Sequence, residues 1–359
     1  MTAMPTSPRR SNSTNPVVRT GRARSRRAAF PLPMLSGSLT DLIARPGMHP
    51  VLLAGSKDPN AKLTVVLIDE CGPAFAVKVP TTEASAAVVR AEGETLALLH
   101  RASLGALAPT IPRPIGYIAA GGFVGLVTGA VAGMPMAVAY HAWRHTAAPR
   151  RVRADFDAAG DWLAGLQRRT ATAACRMTLL HDSLDRIETR FGPQPALRAR
   201  LAPVADRLAT QLTPRTAVHG DYWFGNLLTD KGQVVGVVDW EAGRLIGEPV
   251  IDIARFAVTY SLYLDRHVLA GARIPGHRGL RNEGWGAGLV RAVTGPGWYH
   301  ELVIDFIASA LERLGVDRAC ASAVLLAGIA DVAATADHPE FARSHLDLLA
   351  GLDLAAIPS

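Results

Sequence analysis

Apolar runs between residues 50 and 126 are short and broken by turn residues, which is the pattern of strands rather than of helices. Val51, Leu52 and Leu53 begin one strand, expected over residues 51–55. Residues 63–68 read as a second and residues 75–79 as a third, with Cys71, Gly72 and Pro73 turning the chain between them. One helix is expected over residues 85–101. Residues 115–140 carry no charge and are long enough to cross a bilayer. Six glycines and Pro135 interrupt that stretch, and Phe123, Val124, Leu126 and Val127 lie between them, so short strands and a turn fit it better. Further along, Phe156, Ala159, Trp162, Leu163 and Leu166 recur on one helical face. Residues 227–229 and 233–238 read as a hairpin turning at Asp230, Lys231 and Gly232, with Gly232 free to take a positive φ. A helix is expected from Pro249, which suits a first turn, through Ile253, Phe256 and Tyr260. Residues 299–352 read as helices with alanine-rich faces.

Charge changes little in this picture. The 359 residues carry a net +7, but Arg9, Arg10, Arg19, Arg22, Arg24, Arg26 and Arg27 fall within the first thirty, where there is no acid. The remainder is near neutral, so no specific nucleic-acid partner is expected. Residues 1–36 read as a basic disordered tail without the apolar core of a secretory signal. Cys71, Cys175 and Cys320 are far apart and odd in number, as expected for reduced thiols in a cytoplasm.

The chemistry concentrates in one stretch. His219, Gly220, Asp221, Tyr222, Trp223, Phe224, Gly225 and Asn226 place a carboxylate and an amide five positions apart, and Asp239 comes after the hairpin. A hairpin folds its outer ends together, so Asn226 and Asp239 should share one open end with Asp221 in the adjoining loop. A group to orient an attacking hydroxyl and two oxygen ligands for magnesium are what phosphoryl transfer requires. Asp and Asn at strand ends usually serve turns; it is the joint order that is hard to reach by chance. Lys78 lies in an apolar strand, where an unpaired ammonium is expensive to bury.

These residues resemble the aminoglycoside phosphotransferase and choline kinase group of kinase-like small-molecule phosphotransferases. Gly247, Glu248, Pro249, Asp252 and Ala254 extend the likeness, with Glu248 where the family usually has Asp, and Gln167 stands where it often has His. The resemblance implies an α+β, bilobal protein-kinase-like fold. It would have a small antiparallel-sheet lobe over residues 37–126, a hinge over 127–131 and a larger, mainly helical lobe over 132–359. It implies Asp221 as the catalytic carboxylate, Asn226 and Asp239 as magnesium ligands, and His219 and Asp252 as structural supports. Lys78 would meet the nucleotide phosphates, paired with Glu92 or, alternatively, Glu94. Thr128, Gly129, Ala130 and Val131 would meet the adenine through their backbone. Lys57 or Lys62 would either touch phosphate or be solvated turn residues. Tyr222, Trp223 and Phe224 would pack the catalytic loop, unless one lines the acceptor pocket.

The cofactors implied are ATP or GTP with Mg²⁺, and the partner is a small hydroxylated acceptor. The candidate acceptor segment, residues 271–297, holds Arg273, His277, Arg278, Arg281, Trp285 and Arg291 against one acid, Glu283. That charge favours a neutral or anionic sugar, nucleoside or polyol over a polycationic aminoglycoside. An aminoglycoside-type resistance kinase and a silent nucleotide-binding module are the alternatives. A protein kinase fits less well, because Asp239, Trp240 and Glu241 do not read Asp-Phe-Gly.

Overall fold

The computed structural model describes residues 32–53, 61–268 and 285–354. The expected Arg-rich tail up to residue 31, Lys57, and the acceptor-segment residues Arg273, His277, Arg278, Arg281 and Glu283 lie outside the described residues. The fold is α+β and bilobal, as a protein-kinase-like chain requires.

The smaller lobe is built on six strands: β1 (Met34–Ser38), β2 (His49–Leu53), β3 (Lys62–Asp69), β4 (Gly72–Pro80), β5 (Pro114–Ala120) and β6 (Phe123–Gly129). Their order is β1-β5-β6-β4-β3-β2. Neighbours are antiparallel except β1, which runs parallel to β5. The short helix α1 (Leu39–Ile43) comes directly after β1. The tail was expected to reach residue 36; instead Met34 already pairs with Tyr117, because β5 offers an open edge to the incoming chain. The uncharged stretch 115–140 forms β5, β6, the two-residue strand β7 (Met134–Pro135) and the short helix α3 (Met136–Tyr140).

Alternation along the strands decides which face each side chain meets. Val65, Leu67 and Val77 are buried together with Leu42, Ile118 and Val127 on one face. Lys78, next to Val77, therefore points to the other face, where its register partner Leu126 is buried. Helix α2 (Glu83–Leu99) covers that face. Thr82 caps it, with Ser85 completing a capping box. Ser85, Val89, Glu92, Leu96 and Leu99 are its buried stripe, spaced by fours and threes. Glu92 is thus a carboxylate in the middle of an apolar seam.

The larger lobe holds α4 (Pro149–Thr170), α5 (Leu179–Phe191), α6 (Pro195–Ala209), α7 (Val250–Val268), α8 (Ala287–Thr294), α9 (Trp298–Arg313), α10 (Ala321–Thr335) and α11 (Pro339–Gly351). Short strands run among them: β8 (Ala174–Arg176) with β9 (Leu212–Pro214), β10 (Thr216–Val218) with β13 (Arg244–Gly247), and the hairpin β11 (Leu227–Asp230) and β12 (Gln233–Val237). The hairpin turns through Lys231 at φ 49° and Gly232 at φ 76°, so both central residues are left-handed. Helix α10 is apolar on all sides because α5, α7, α9 and α11 surround it. Among the described residues, Arg318–Thr335 is the one helical segment long and apolar enough to cross a membrane, and most of it is buried here. Arg255 of α7 reaches Asp331 and Thr335 of α10, each at 2.8 Å, and fixes α7 on that central helix.

Glu248, one methylene longer than the Asp that the resemblance leads one to expect, is buried. It accepts from the Thr178 N–H at 2.9 Å and the Leu179 N–H at 3.4 Å, at the start of α5, and from Arg215 Nη1 at 2.6 Å. A carboxylate at a helix start is favoured by the exposed amide donors there. Gln167 is buried in α4, and its amide nitrogen has no partner among the described residues.

His345 is buried in α11. Its Nδ1 donates to the Phe341 carbonyl at 2.8 Å, while its buried Nε2 finds no partner among the described residues. Burial holds its pKa down, from 6.5 to about 4. Above the unfolded value the contribution is complete. As pH falls towards about 4, the unfolded chain takes up a proton that the folded chain refuses, and up to about 3 kcal/mol is lost. Urea unfolding at about pH 7.5 and about pH 4.5 should show His345→Leu losing roughly 2–3 kcal/mol less than the unaltered chain. Equal losses would show that His345 is not held neutral.

Candidate active site

Strand β10 delivers the chain to His219, and Asp252, in the first turn of α7, holds the loop that begins there. Asp252 Oδ2 accepts from the His219 N–H at 2.7 Å and Oδ1 from the Gly220 N–H at 2.8 Å. Burial pushes the Asp252 carboxyl above its ordinary pKa, against the opposing pull of the two amide donors and Arg255. Gly220 has φ 80°, and a Cβ there would sit 2.4 Å from the Ala242 carbonyl oxygen. The loop is therefore pressed against the segment carrying Asp239, and only glycine fits.

His219 is fully buried and structural in its contacts. Its Nε2 donates to the Val238 carbonyl at 2.9 Å, which leaves Nδ1 to accept the Asp221 N–H at 3.3 Å. Those partners assign the neutral tautomer protonated at Nε2. Asn226 donates its amide to the Asp221 carbonyl at 2.9 Å and to Asp221 Oδ2 at 3.2 Å. Asp221 is half-buried, with its carboxylate oriented by that amide. Tyr222 and Phe224 anchor the loop in the larger lobe. Tyr222 donates its hydroxyl to the Ala159 carbonyl at 3.0 Å, and Phe224 stacks on Tyr140 with centroids 4.2 Å apart. Trp223 stays half-buried and lies near-parallel to Tyr263.

The hairpin brings its two ends together: the Val238 N–H donates to the Asn226 carbonyl at 3.0 Å, and Asp239 comes next. Asp239 has φ 68° and ψ 62°, a left-handed conformation that costs a non-glycine residue about 1–3 kcal/mol. The next residue, Trp240, fixes it. Its ring is fully buried with Nε1 on the Val237 carbonyl at 2.8 Å, and its N–H donates to Glu92 Oε1 at 3.0 Å.

Lys78 closes the arrangement from the sheet. Its Nζ lies 2.5 Å from Glu92 Oε1 and 2.6 Å from Asp239 Oδ1. Burial alone would lower the Lys78 pKa, but the charges of Asp239 and Glu92 and their hydrogen bonds outweigh it and raise it. Burial likewise pushes Asp239 up, and Lys78 and Lys62 together hold it below the ordinary carboxylate range. Of the two carboxylates open from sequence, Glu92 takes the lysine; Glu94 is exposed on the outer side of α2, near Tyr117.

Asn226 Oδ1 and Asp239 Oδ2 have no donor among the described residues. An amide oxygen and a carboxylate oxygen from the two ends of one hairpin are hard donors of the kind Mg²⁺ takes, since it binds through one or two protein oxygens and completes its shell with phosphate and water. Among the described residues no three His, Cys, Asp or Glu side chains form a metal cage of their own. The residues present therefore fit a cation that arrives with its phosphates.

The sequence profile described as the phosphotransferase enzyme family matches residues 60–288, more than half of the chain and all of these residues. The chain belongs to the phosphotransferase enzyme family. An aminoglycoside phosphotransferase from Streptomyces rimosus is 19% identical, over 80% of this chain and 93% of that one, with TM-score 0.44. In complex with ADP and streptomycin the same enzyme aligns at 21% identity over 80% and 94%, with TM-score 0.44. A macrolide 2'-phosphotransferase from Brachybacterium faecium is 16% identical over 87% and 97%, with TM-score 0.46. No curated protein matches the chain.

In this phosphotransferase the expected hinge is more strongly paired than its sequence implied. Thr128 and Gly129 still belong to β6. The Gly129 N–H donates to the Arg113 carbonyl at 2.9 Å and the Ala130 N–H to the Ala74 carbonyl at 3.0 Å. For Val131 N–H no partner is described. Two hollows, of about 310 Å³ beside Arg90 and Tyr117 and about 430 Å³ beside His100 and Val131, are not lined by Lys78, Asp221 or Asp239.

Sequence reasoning left Lys62 open and gave Glu241 no role. Lys62 Nζ lies 3.2 Å from Asp239 Oδ1 and also contacts Glu241 Oε2. Strand alternation could have placed Lys62 on the face of Lys78, but the long-range partner carries no local signal.

Gly220→Ala should lower unfolding stability by about 2 kcal/mol, because the new Cβ meets backbone rather than a movable side chain. Chemical denaturation checks this. An unchanged midpoint would mean that the loop does not pack against Ala242 as described.

Proposed function

We propose that this phosphotransferase transfers the γ-phosphoryl group of ATP to a hydroxyl of a neutral or anionic sugar, nucleoside or polyol-type metabolite. The observation that carries the reading is Lys78, held at once by Glu92 from the small lobe and by Asp239 from the large one. A buried ammonium at the junction of two lobes, opposite a loop carboxylate, is what nucleotide phosphates need on one side and an acceptor hydroxyl on the other.

In this reading residues 34–126 form the nucleotide lobe, 127–131 the hinge and 132–359 the catalytic lobe. The backbone of Thr128, Gly129, Ala130 and Val131 meets the adenine. With the Gly129 and Ala130 amides already engaged, Val131 N–H supplies the donor. Asp221, oriented by Asn226, accepts a hydrogen bond from the acceptor hydroxyl and points its oxygen at phosphorus. Asn226 and Asp239 would hold Mg²⁺, which when bound would neutralise charge on the phosphate oxygens. Lys78 adds positive charge there, and Glu92 keeps Lys78 in place. His219 and Asp252 keep the loop's geometry. Most of the acceleration comes from positioning and electrostatics, since the transferring group needs little covalent assistance.

The acceptor class rests on charge. Residues 271–297 carry several arginines and a single acid, and a polycation would be repelled there.

Asp221→Ala should lower turnover by about 10²–10⁴-fold while ATP binding survives within a few-fold. ADP release together with calorimetric ATP binding reads both quantities. Retained turnover would remove Asp221 from its role. A panel of acceptors with ATP and Mg²⁺ should show uncharged sugars, nucleosides or polyols phosphorylated ahead of aminoglycosides; the reverse order would refute the charge argument.

A further inference from the structure

We propose that Lys62 is a second phosphate-binding cation, parked on Asp239 and Glu241 until a nucleotide polyphosphate takes it. The proposal rests on reading the Lys78–Asp239 cleft as the nucleotide site.

Three observations carry it. The first is placement. Thr64 pairs with Lys78 and Lys62 with Pro80, so Lys62 and Lys78 project from neighbouring strands onto the same face of the sheet. Like charges on diagonal positions of one sheet face lie close enough to repel each other, and here carboxylates lie between them. The second is crowding on one oxygen. Asp239 Oδ1 already accepts from Lys78 at 2.6 Å and also faces Lys62 at 3.2 Å. Lys62 is thus the more distant partner of an acceptor that Lys78 already satisfies. The third is Glu241, two residues after Asp239, whose carboxylate gives Lys62 a separate resting place.

The side chains of Lys62, Asp239 and Glu241 are 13%, 30% and 26% exposed, so the trio meets solvent at its edge. A polyphosphate entering beside Lys78 brings more negative charge than Lys78 alone can balance. Lys62 then moves a short way from a shared carboxylate oxygen to a phosphate oxygen. The competing account is a fixed strap, in which Lys62 ties β3 to the turn after Asp239 and never meets nucleotide. The two accounts predict opposite signs at Glu241. If Lys62 is parked, removing the Glu241 charge frees it for phosphate; if it is a strap, removing either end loosens the site alike.

Calorimetric titration with Mg·ATP, Mg·ADP and adenosine separates them. Lys62→Met should weaken ATP and ADP about tenfold or more and leave adenosine within about twofold. Glu241→Gln should tighten ATP about threefold, and that gain should vanish in the double variant, because it acts through Lys62. Lys62→Arg keeps the charge and should keep most of the ATP affinity. Should Lys62→Met prove unstable in thermal melts, Lys62→Gln against Lys62→Arg supplies the same comparison. ATP binding unchanged by loss of the Lys62 charge would overturn the proposal, as would equal weakening by Lys62→Met and Glu241→Gln. If the unaltered chain bound none of the three ligands, the nucleotide-site reading itself would fall; if it bound ATP and Lys62 made no difference, only the parked cation would.

Discussion

An ammonium held mostly out of water needs carboxylates around it, and at Lys78 that requirement ties the molecule together. Sheet alternation turns Lys78 away from the apolar face of Val77 and towards α2, where Glu92 is the one carboxylate in the buried stripe. Asp239 comes from the other lobe to share it. Removing one partner from a buried pair of this kind typically costs about 3–5 kcal/mol, because the remaining charge is left without compensation. The pair is therefore less a source of stability than a constraint on geometry: the two lobes have one relative placement that satisfies Lys78. Trp240 reinforces it by donating its amide to the Glu92 oxygen that Lys78 uses, so the left-handed turn at Asp239 is held from both sides.

The loop from His219 to Asn226 depends on a second buried carboxylate. Asp252 accepts two consecutive amides and fixes the path of the chain between His219 and Asp221. Asp252 belongs to α7, and α7 is anchored by Arg255 to Asp331 and Thr335 of α10, the helix that the rest of the large lobe surrounds. Among the described residues, these bonds join the alanine-rich C-terminal helices to α7 rather than to the loop itself. They act at a distance, by giving α7 a rigid seat.

Much of this was legible in the residues. The hairpin announced itself through Asp230, Lys231 and Gly232, and its closed geometry made the backbone bond between its ends, from Val238 to Asn226, foreseeable. The choice between Glu92 and Glu94, open from sequence, is made by the phase of α2: the buried stripe of Val89, Leu96 and Leu99 takes in Glu92 and leaves Glu94 outside. Other features had no local signature. Strand β1 pairs with β5 across some eighty residues and begins inside a stretch that composition assigned to a tail. The pairing of Lys62 with Asp239 and Glu241 joins residues far apart in sequence, and a lysine beside a turn looks the same whether solvated or engaged. The Gly129 and Ala130 amides are spent on Arg113 and Ala74 because β6 runs on through the expected hinge, which apolar patterning alone does not show.

The central claim is that Glu92 acts on nucleotide only through Lys78. A double-mutant cycle of ATP affinity over the unaltered chain, Lys78→Met, Glu92→Gln and the double variant measures that coupling. Glu92→Gln should weaken ATP binding in the unaltered background and add nothing once Lys78 is gone. Two independent losses that sum in the double variant would contradict the account, since the carboxylate and the ammonium would then be serving separate ends.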